Sequence, residues 1–289
     1  MNYLFHILIM ICIYGILALS LNLLVGYSGL LSLAHAAFYG IGAYTATLLM
    51  MKLGFNFLPA LLCGVVAAGI SGLLIAYPSL RLKDDYFVLA SLGFQLIAFS
   101  ILYNWIGLTR GPYGIPGIPR PTIFGFKVDS LPLYLILCAV IFSLVFLFIR
   151  LLCESPFGRA LKAVREDELA AEALGKDVPN LKIWAFVIGG GLAAVSGVIY
   201  ASYVTYIDPT SFTLDESIFI IAIVLIGGSG NLKGPLVGAV FMITLPEVLR
   251  FLGLPSTIAP NVRQMIYGAL LVFLMRYRPQ GLAGEYKLE

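Results

Sequence analysis

Apolar run follows apolar run along almost the whole chain, and very few folds can hide so many of them. The runs cover about 3–25, 33–51, 58–80, 86–106, 131–152, 183–206, 216–228, 235–253 and 263–276. Most reach the roughly twenty residues that a helix needs to cross about 30 Å of hydrocarbon. They are continuously apolar rather than alternating, so they read as helices and not as barrel strands. Only 11% of the 289 residues are charged, against about 25% in soluble domains. The pattern predicts an all-α, polytopic transmembrane bundle of eight to ten spans forming one domain over 1–289. The run 216–228 is short and the last is barely long enough, so a broken or re-entrant helix is expected at either. The first run has neither a basic leader nor a small-residue cleavage site, which makes it a retained span. Cys12, Cys63, Cys138 and Cys153 lie in or beside apolar runs without a C-x-x-C pair, so neither a disulfide framework nor a metal site is indicated.

Orientation follows from the placement of Lys and Arg. With the charged stretch 153–182 on one side and alternation outward from it, that side holds Arg81, Lys83, Arg150, Arg159, Lys162, Arg165, Lys176, Lys182, Lys233, Arg276, Arg278 and Lys287. The other side holds Lys52, Arg110, Arg120, Lys127, Arg250 and Arg263. Twelve against six places 153–182 and the C-terminus in the cytoplasm and the N-terminus outside.

Three segments carry small residues at every fourth position: Ala60, Gly64, Ala68, Gly72 and Ala76; Ser32, Ala36 and Gly40; and Gly189, Ala193, Gly197 and Ala201. In lipid, helices associate through close backbone approach over such faces. Tight packing within one subunit is the plain expectation, with a dimer seam or pore lining as the alternative. An internal echo accompanies them. Gly26-Tyr27-Ser28-Gly29-Leu30-Leu31 returns as Gly227-Gly228-Ser229-Gly230-Asn231-Leu232, each after an apolar run. Gly-rich breaks at corresponding places in two halves often flank a transport path; two ordinary turns would read the same.

Several function classes lose support. Ion-coupled carriers need ionisable groups at membrane depth, and no span before the central block has Asp or Glu in its middle. Glu247 can pair with Arg250 one helical turn on, His35 reads as a hydrogen-bonded packing residue, and His6 lies near an end. The sequence has no G-x-x-x-x-G-K-[ST] phosphate loop, no G-x-S-x-G and no His/Cys cluster. Any energy source must be bound by another protein.

The central block Ser155–Gly175 holds seven charged residues and cannot lie in lipid. Ser155 can cap a helix with Pro156 at its first position, placing Phe157, Leu161 and Val164 on one face. Asp167 can cap a second helix with Glu168 in its first turn. Leu169, Ala170, Ala173 and Leu174 then form a narrow stripe, and Gly175 stops the helix. Six basic residues from Arg150 to Lys182 balance six acidic ones from Glu154 to Asp177, whereas a lipid anchor would be more one-sidedly basic. The stripe suits a groove in a protein partner; a solvated connector is the alternative.

Here a resemblance becomes specific. Ala170-Ala171-x-x-x-Gly175 matches the tail of the E-A-A-x-x-x-G loop through which ABC importer permeases engage their ATPases, with Leu169 in place of its Glu. GYSGLLSLAH (26–35), DYFVLASLGF (85–94), LTRGPYGIPGIP (108–119), FGRALKAVRE (157–166) and AIVLIGGSGN (222–231) resemble recurrent blocks of the LivH/LivM family, in particular LivM-type permeases of branched-chain amino-acid importers. Gln95-Leu96 and Arg110 depart from the pattern. The resemblance implies a LivH-like permease partner, two cytoplasmic ATP-binding subunits and an extracytoplasmic substrate-binding protein. It implies no cofactor in this chain, ATP and Mg being bound by the partners, and no nucleic acid. The chain is then a transport subunit without catalytic, cofactor or metal residues of its own. ATPase coupling would fall to Phe157, Gly158, Arg159, Arg165, Glu166, Glu168, Ala170, Ala171 and Gly175. Ser28, His35, Gln95, Ser229 and Glu247 are candidates for the translocation path. The segment 108–119 would meet the binding protein or gate the path. An ATP-independent facilitator, or the same architecture carrying urea or short amides, remains the alternative.

Overall fold

The computed structural model of the chain describes residues 2–79, 84–123, 126–250, 259–277 and 280–283. Each of the nine apolar runs forms a helix. The first is α1 (Asn2–Asn22), continued by a π-helical turn, Leu23–Tyr27; then come α2 (His35–Leu53), α3 (Phe57–Ser79) and α4 (Asp84–Asn104). A short α5 (Ile106–Thr109) and the two-residue strands β1 (Ile115–Pro116), β2 (Thr122–Ile123) and β3 (Phe126–Lys127) lead to α6 (Leu131–Glu154). Next are α7 (Pro156–Glu166), α8 (Glu168–Ala173), α9 (Val178–Val204) and β4 (Tyr206–Ile207). Helices α10 (Leu214–Gly227), α11 (Lys233–Arg250) and α12 (Ala259–Tyr277) complete the fold. The all-α expectation holds. Five of these helices are long and apolar enough by themselves to cross a membrane: α1 with its π turn, α3, α4, α6 and α9. The short run becomes α10, whose 14 residues span about 21 Å at 1.5 Å each.

The small-residue faces lie where helices meet. On α3, Ala60, Gly64, Ala68, Gly72 and Ala76 are all buried, as are Gly189, Ala193, Gly197 and Ala201 on α9. The two helices pack directly on each other, and α2 packs against both. A Cβ on Gly42 would stand 2.5 Å from the Ala194 Cα, and one on Gly197 would stand 2.0 Å from the Tyr39 carbonyl oxygen. Ser32, Ala36 and Gly40 are also buried, but Ser32 precedes the first turn of α2, so the three do not form one helical face.

These distances rank the glycines. Gly197→Ala is expected to cost about 1–3 kcal/mol, because the clash is with backbone that cannot step aside. Gly72→Ala, whose new methyl would sit 3.6 Å from the Phe38 ring, should be near neutral. Melting of the two purified variants in detergent checks the contrast, and equal melting temperatures would refute it.

The connections sort to two ends of the bundle. At one end β1 pairs with β4, Ile115 opposite Ile207, and the amides of Gly117 and Ile118 donate to the Thr205 carbonyl at 3.0 and 3.2 Å. The segment 108–119 is thereby fastened to the turn after α9. The other end gathers the break after α1, helices α7 and α8, the 228–232 turn and residues 280–283. Of the charges used for orientation, Arg81, Lys83, Arg278 and Lys287 lie outside the described residues, as do the side chains of Arg250 and Arg263.

Arg110 has a left-handed backbone, φ +61°. Glycine adopts that conformation freely, whereas it costs an L residue roughly 1–2 kcal/mol. Arg110→Gly is expected to raise the melting temperature, the net gain staying below about 1 kcal/mol once the extra unfolded-state freedom of glycine is counted. A lower melting temperature would show that the arginine side chain makes a compensating interaction.

Candidate functional site

The central block forms the two helices that its caps predict. The Ser155 hydroxyl accepts from the Gly158 amide at 3.4 Å and the Asp167 carboxylate from the Ala170 amide at 3.0 Å. Gly175, at φ +77°, closes α8: its amide donates to the Glu172 carbonyl, and that of Lys176 to the Ala171 carbonyl. This is the Schellman arrangement. In α7, Leu161 and Val164 are buried and Phe157 is half-buried. Gly158 is buried because a Cβ there would stand 2.3 Å from the Cys153 carbonyl oxygen.

Helix α8 has two unlike faces. Ala171 is buried against Val164 and Val178. Glu168 turns inward to Lys182, whose ammonium group it meets at 2.6 Å. Leu169 and Leu174, by contrast, are 78% and 79% exposed, with Ala170 and Ala173 beside them on the exposed surface. The sequence placed Ala170 and Ala171 together in one coupling motif; the structure separates them, one outward and one inward.

The inner face of α7 meets the break after α1. Arg165 donates to the Gly26 carbonyl and pairs with Glu166 at 2.5 Å. The Lys162 ammonium lies 5.0 Å from the centre of the Tyr27 ring. Arg159 instead donates to the Glu154 carbonyl at 2.8 Å and stays exposed. The first break is itself irregular: a π turn ends α1, and Gly29 follows at φ +73°. π turns recur at functional sites within otherwise regular helices.

The two echoed segments touch. Asn22, fully buried, donates through Nδ2 to the Asn231 carbonyl at 2.8 Å and accepts the Gly230 amide on Oδ1 at 3.2 Å. A Cβ on Gly26 would lie 2.6 Å from the Gly230 nitrogen. Gly230, at φ +92°, is the echo counterpart of Gly29 and shares its backbone sign. The second break is also held from below. Asn231 accepts the Gly234 amide at 2.7 Å and donates to the Ala283 carbonyl, while the Leu282 and Ala283 amides donate to Ile226 and Gly227 at 2.9 Å. One continuous set of contacts therefore runs from α7 through Gly26 and Asn22 to the second break.

The structure splits the path candidates. Ser28 and Ser229 are both buried on the paired breaks, Ser28 bonded to the Leu24 carbonyl at 2.7 Å and the Ser229 hydroxyl without a partner among the described residues. His35 and Gln95 belong to a separate buried polar string: His35 meets Ser20 at 2.7 Å, and Gln95 donates to the Phe212 carbonyl at 2.8 Å and accepts from Ser217 at 3.4 Å. Glu247 is half-buried on α11, apart from both groups. Sequence reasoning missed Asn22, an amide one helical turn before Gly26 in an otherwise apolar run, and Lys182, which was counted only as a surface charge.

A family model described as branched-chain amino acid transport system / permease component matches residues 3–275. The high-affinity branched-chain amino acid transport system permease protein LivM of Salmonella typhimurium is 38% identical over 94% of this chain and 68% of its own length. The probable branched-chain amino acid transport permease protein LivM of Methanocaldococcus jannaschii is 30% identical, covering 96% of this chain and 92% of its own. The autoinducer 2 import system permease protein LsrC of Salmonella paratyphi B is 31% identical over 76% of this chain and 62% of its own length. No solved structure shows a significant match.

Proposed function

The chain belongs to the family of branched-chain amino acid transport permease components, and on that premise we propose that it is one of two membrane subunits of an ATP-driven importer for leucine, isoleucine and valine. Its partners in this reading are a LivH-like permease, two cytoplasmic ATP-binding subunits and an extracytoplasmic substrate-binding protein. ATP and Mg are bound by the ATPases, and the chain does no bond chemistry itself. Helices α7 and α8 lie in the cytoplasm with the C-terminus, and the N-terminus lies outside.

The observation that carries the reading is the seating of α7 on the first helix break. A connector would need no such attachment. Here the Arg165 guanidinium and the Gly26 carbonyl join an exposed, partly apolar helix pair to irregular backbone inside the bundle. Motion imposed on α8 from outside the chain thus has a short mechanical route to the breaks. Ser28 and Ser229 are buried within the two breaks, and burial is a condition under which a membrane protein tolerates irregular backbone.

Uptake by the complete importer in proteoliposomes tests the proposal. Accumulation of labelled leucine is expected only with ATP on the α7–α8 side, and a cysteine in place of Lys176 should react with impermeant reagents from that side alone. Uptake that persists undiminished without ATP would establish a facilitator instead.

A further inference from the structure

At the end of α10 away from the coupling block lies a cavity of about 520 Å³, walled by α1, α10 and α12. Glu216, in the first turn of α10, lines this cavity. Its Oε1 is shut off from solvent and has no hydrogen-bond partner among the described residues. Asp215 beside it is exposed and suffices to complement the positive end of the helix. The Glu216 carboxyl group is hydrogen-bonded to the Tyr14 side chain, yet neither that bond nor helix capping gives Oε1 a partner.

The rest of the wall has a distinct character. Tyr14, Phe219 and Tyr267 form a chain of rings, with centroids 5.4 and 5.3 Å apart. Aromatic faces beside a carboxylate favour organic cations, above all ammonium groups that must shed water. A buried acceptor left unmet beside a cavity is the situation that a polar ligand resolves. The volume is in the range of small-molecule sites, about 300–1,000 Å³.

The geometry points to an ammonium-binding station in which Glu216 and the Tyr14, Phe219 and Tyr267 rings receive the amino group of an aliphatic amino acid entering the bundle. This rests on the importer reading and adds to it a recognition element in the permease itself. The orphaned Oε1 gains a charge-assisted hydrogen bond from the ammonium group. The apolar remainder of the cavity takes the aliphatic side chain.

Two measurements on the complete importer in proteoliposomes test it. Glu216→Gln keeps the shape and removes the charge; leucine uptake is expected to fall at least tenfold, while ATP hydrolysis without substrate and the recovery of assembled complex stay unchanged. In the unaltered importer, leucine should slow carbodiimide labelling of Glu216, read by mass spectrometry, at least threefold. The same concentration of 2-hydroxy-4-methylpentanoate, which lacks the amino group, should not. Wild-type uptake by the Gln variant, or equal labelling with the two solutes, would overturn the station. If leucine protects Glu216 but ATP drives no uptake in the unaltered protein, the importer reading fails and the ammonium site stands.

Discussion

Leu169→Glu combined with Leu174→Glu is expected to strip the ATPase subunits from the purified importer, lowering their recovery by at least tenfold and bringing ATP-driven uptake to background. Both side chains are more than three-quarters exposed and cover none of the chain's own core, so the permease itself should express and melt as before. Exposed leucines on a short polar helix carry no role in the isolated chain, but in a partner's groove they would be the anchors whose loss costs most of the affinity. Pull-down of the ATPases on the tagged permease, with stoichiometry read from stained gels, checks the expectation. Full ATPase recovery with the double variant would move the docking surface elsewhere. Ala171→Glu makes the contrasting control. Ala171 is 2% exposed, so a carboxylate there would be forced into the small core that holds α8 against α9, and the damage should appear first as lower stability.

The same two helices show what the sequence made legible and where it stopped. Hydrophobic run length placed all nine long helices, because lipid leaves a helix as the only way to satisfy the backbone of a single apolar segment. Caps at Ser155 and Asp167 were readable because they depend on neighbours within four residues. Which side of α8 faces inward was not, since Glu168 turns toward Lys182, fourteen residues away in sequence. The Gly26–Leu31 and Gly227–Leu232 echo was visible as a repeat of letters, but not as a contact. That contact depends on Asn22, whose partners lie more than 200 residues off. Glu216 passed unnoticed for a related reason: at the first position of a short apolar run it reads as a boundary charge, and only the fold shows one of its oxygens enclosed.

Asn22 is also where the coupling route is narrowest, and Asn22→Leu should separate hydrolysis from transport. Leucine has about the right volume but can neither donate to the Asn231 carbonyl nor accept the Gly230 amide, leaving two buried backbone groups unmet. Each such group costs roughly 1–3 kcal/mol, enough to shift the second break relative to the first without unfolding a bundle whose apolar core is untouched. ATPase recovery and basal hydrolysis are expected to persist while leucine uptake falls at least tenfold, the reverse of the α8 variant, which loses the ATPases themselves. Arg165→Ala acts one step earlier in the same route, removing the link to the Gly26 carbonyl, and should give the same dissociation of hydrolysis from uptake. If the two residues belong to one route, the double variant is little worse than the more severe single one, because a severed link cannot be cut again; independent local effects would multiply. Measured uptake in the four proteins decides between them, and a fully multiplicative result would mean that Arg165 and Asn22 support the two breaks separately and that motion from α7 reaches the second break by another way.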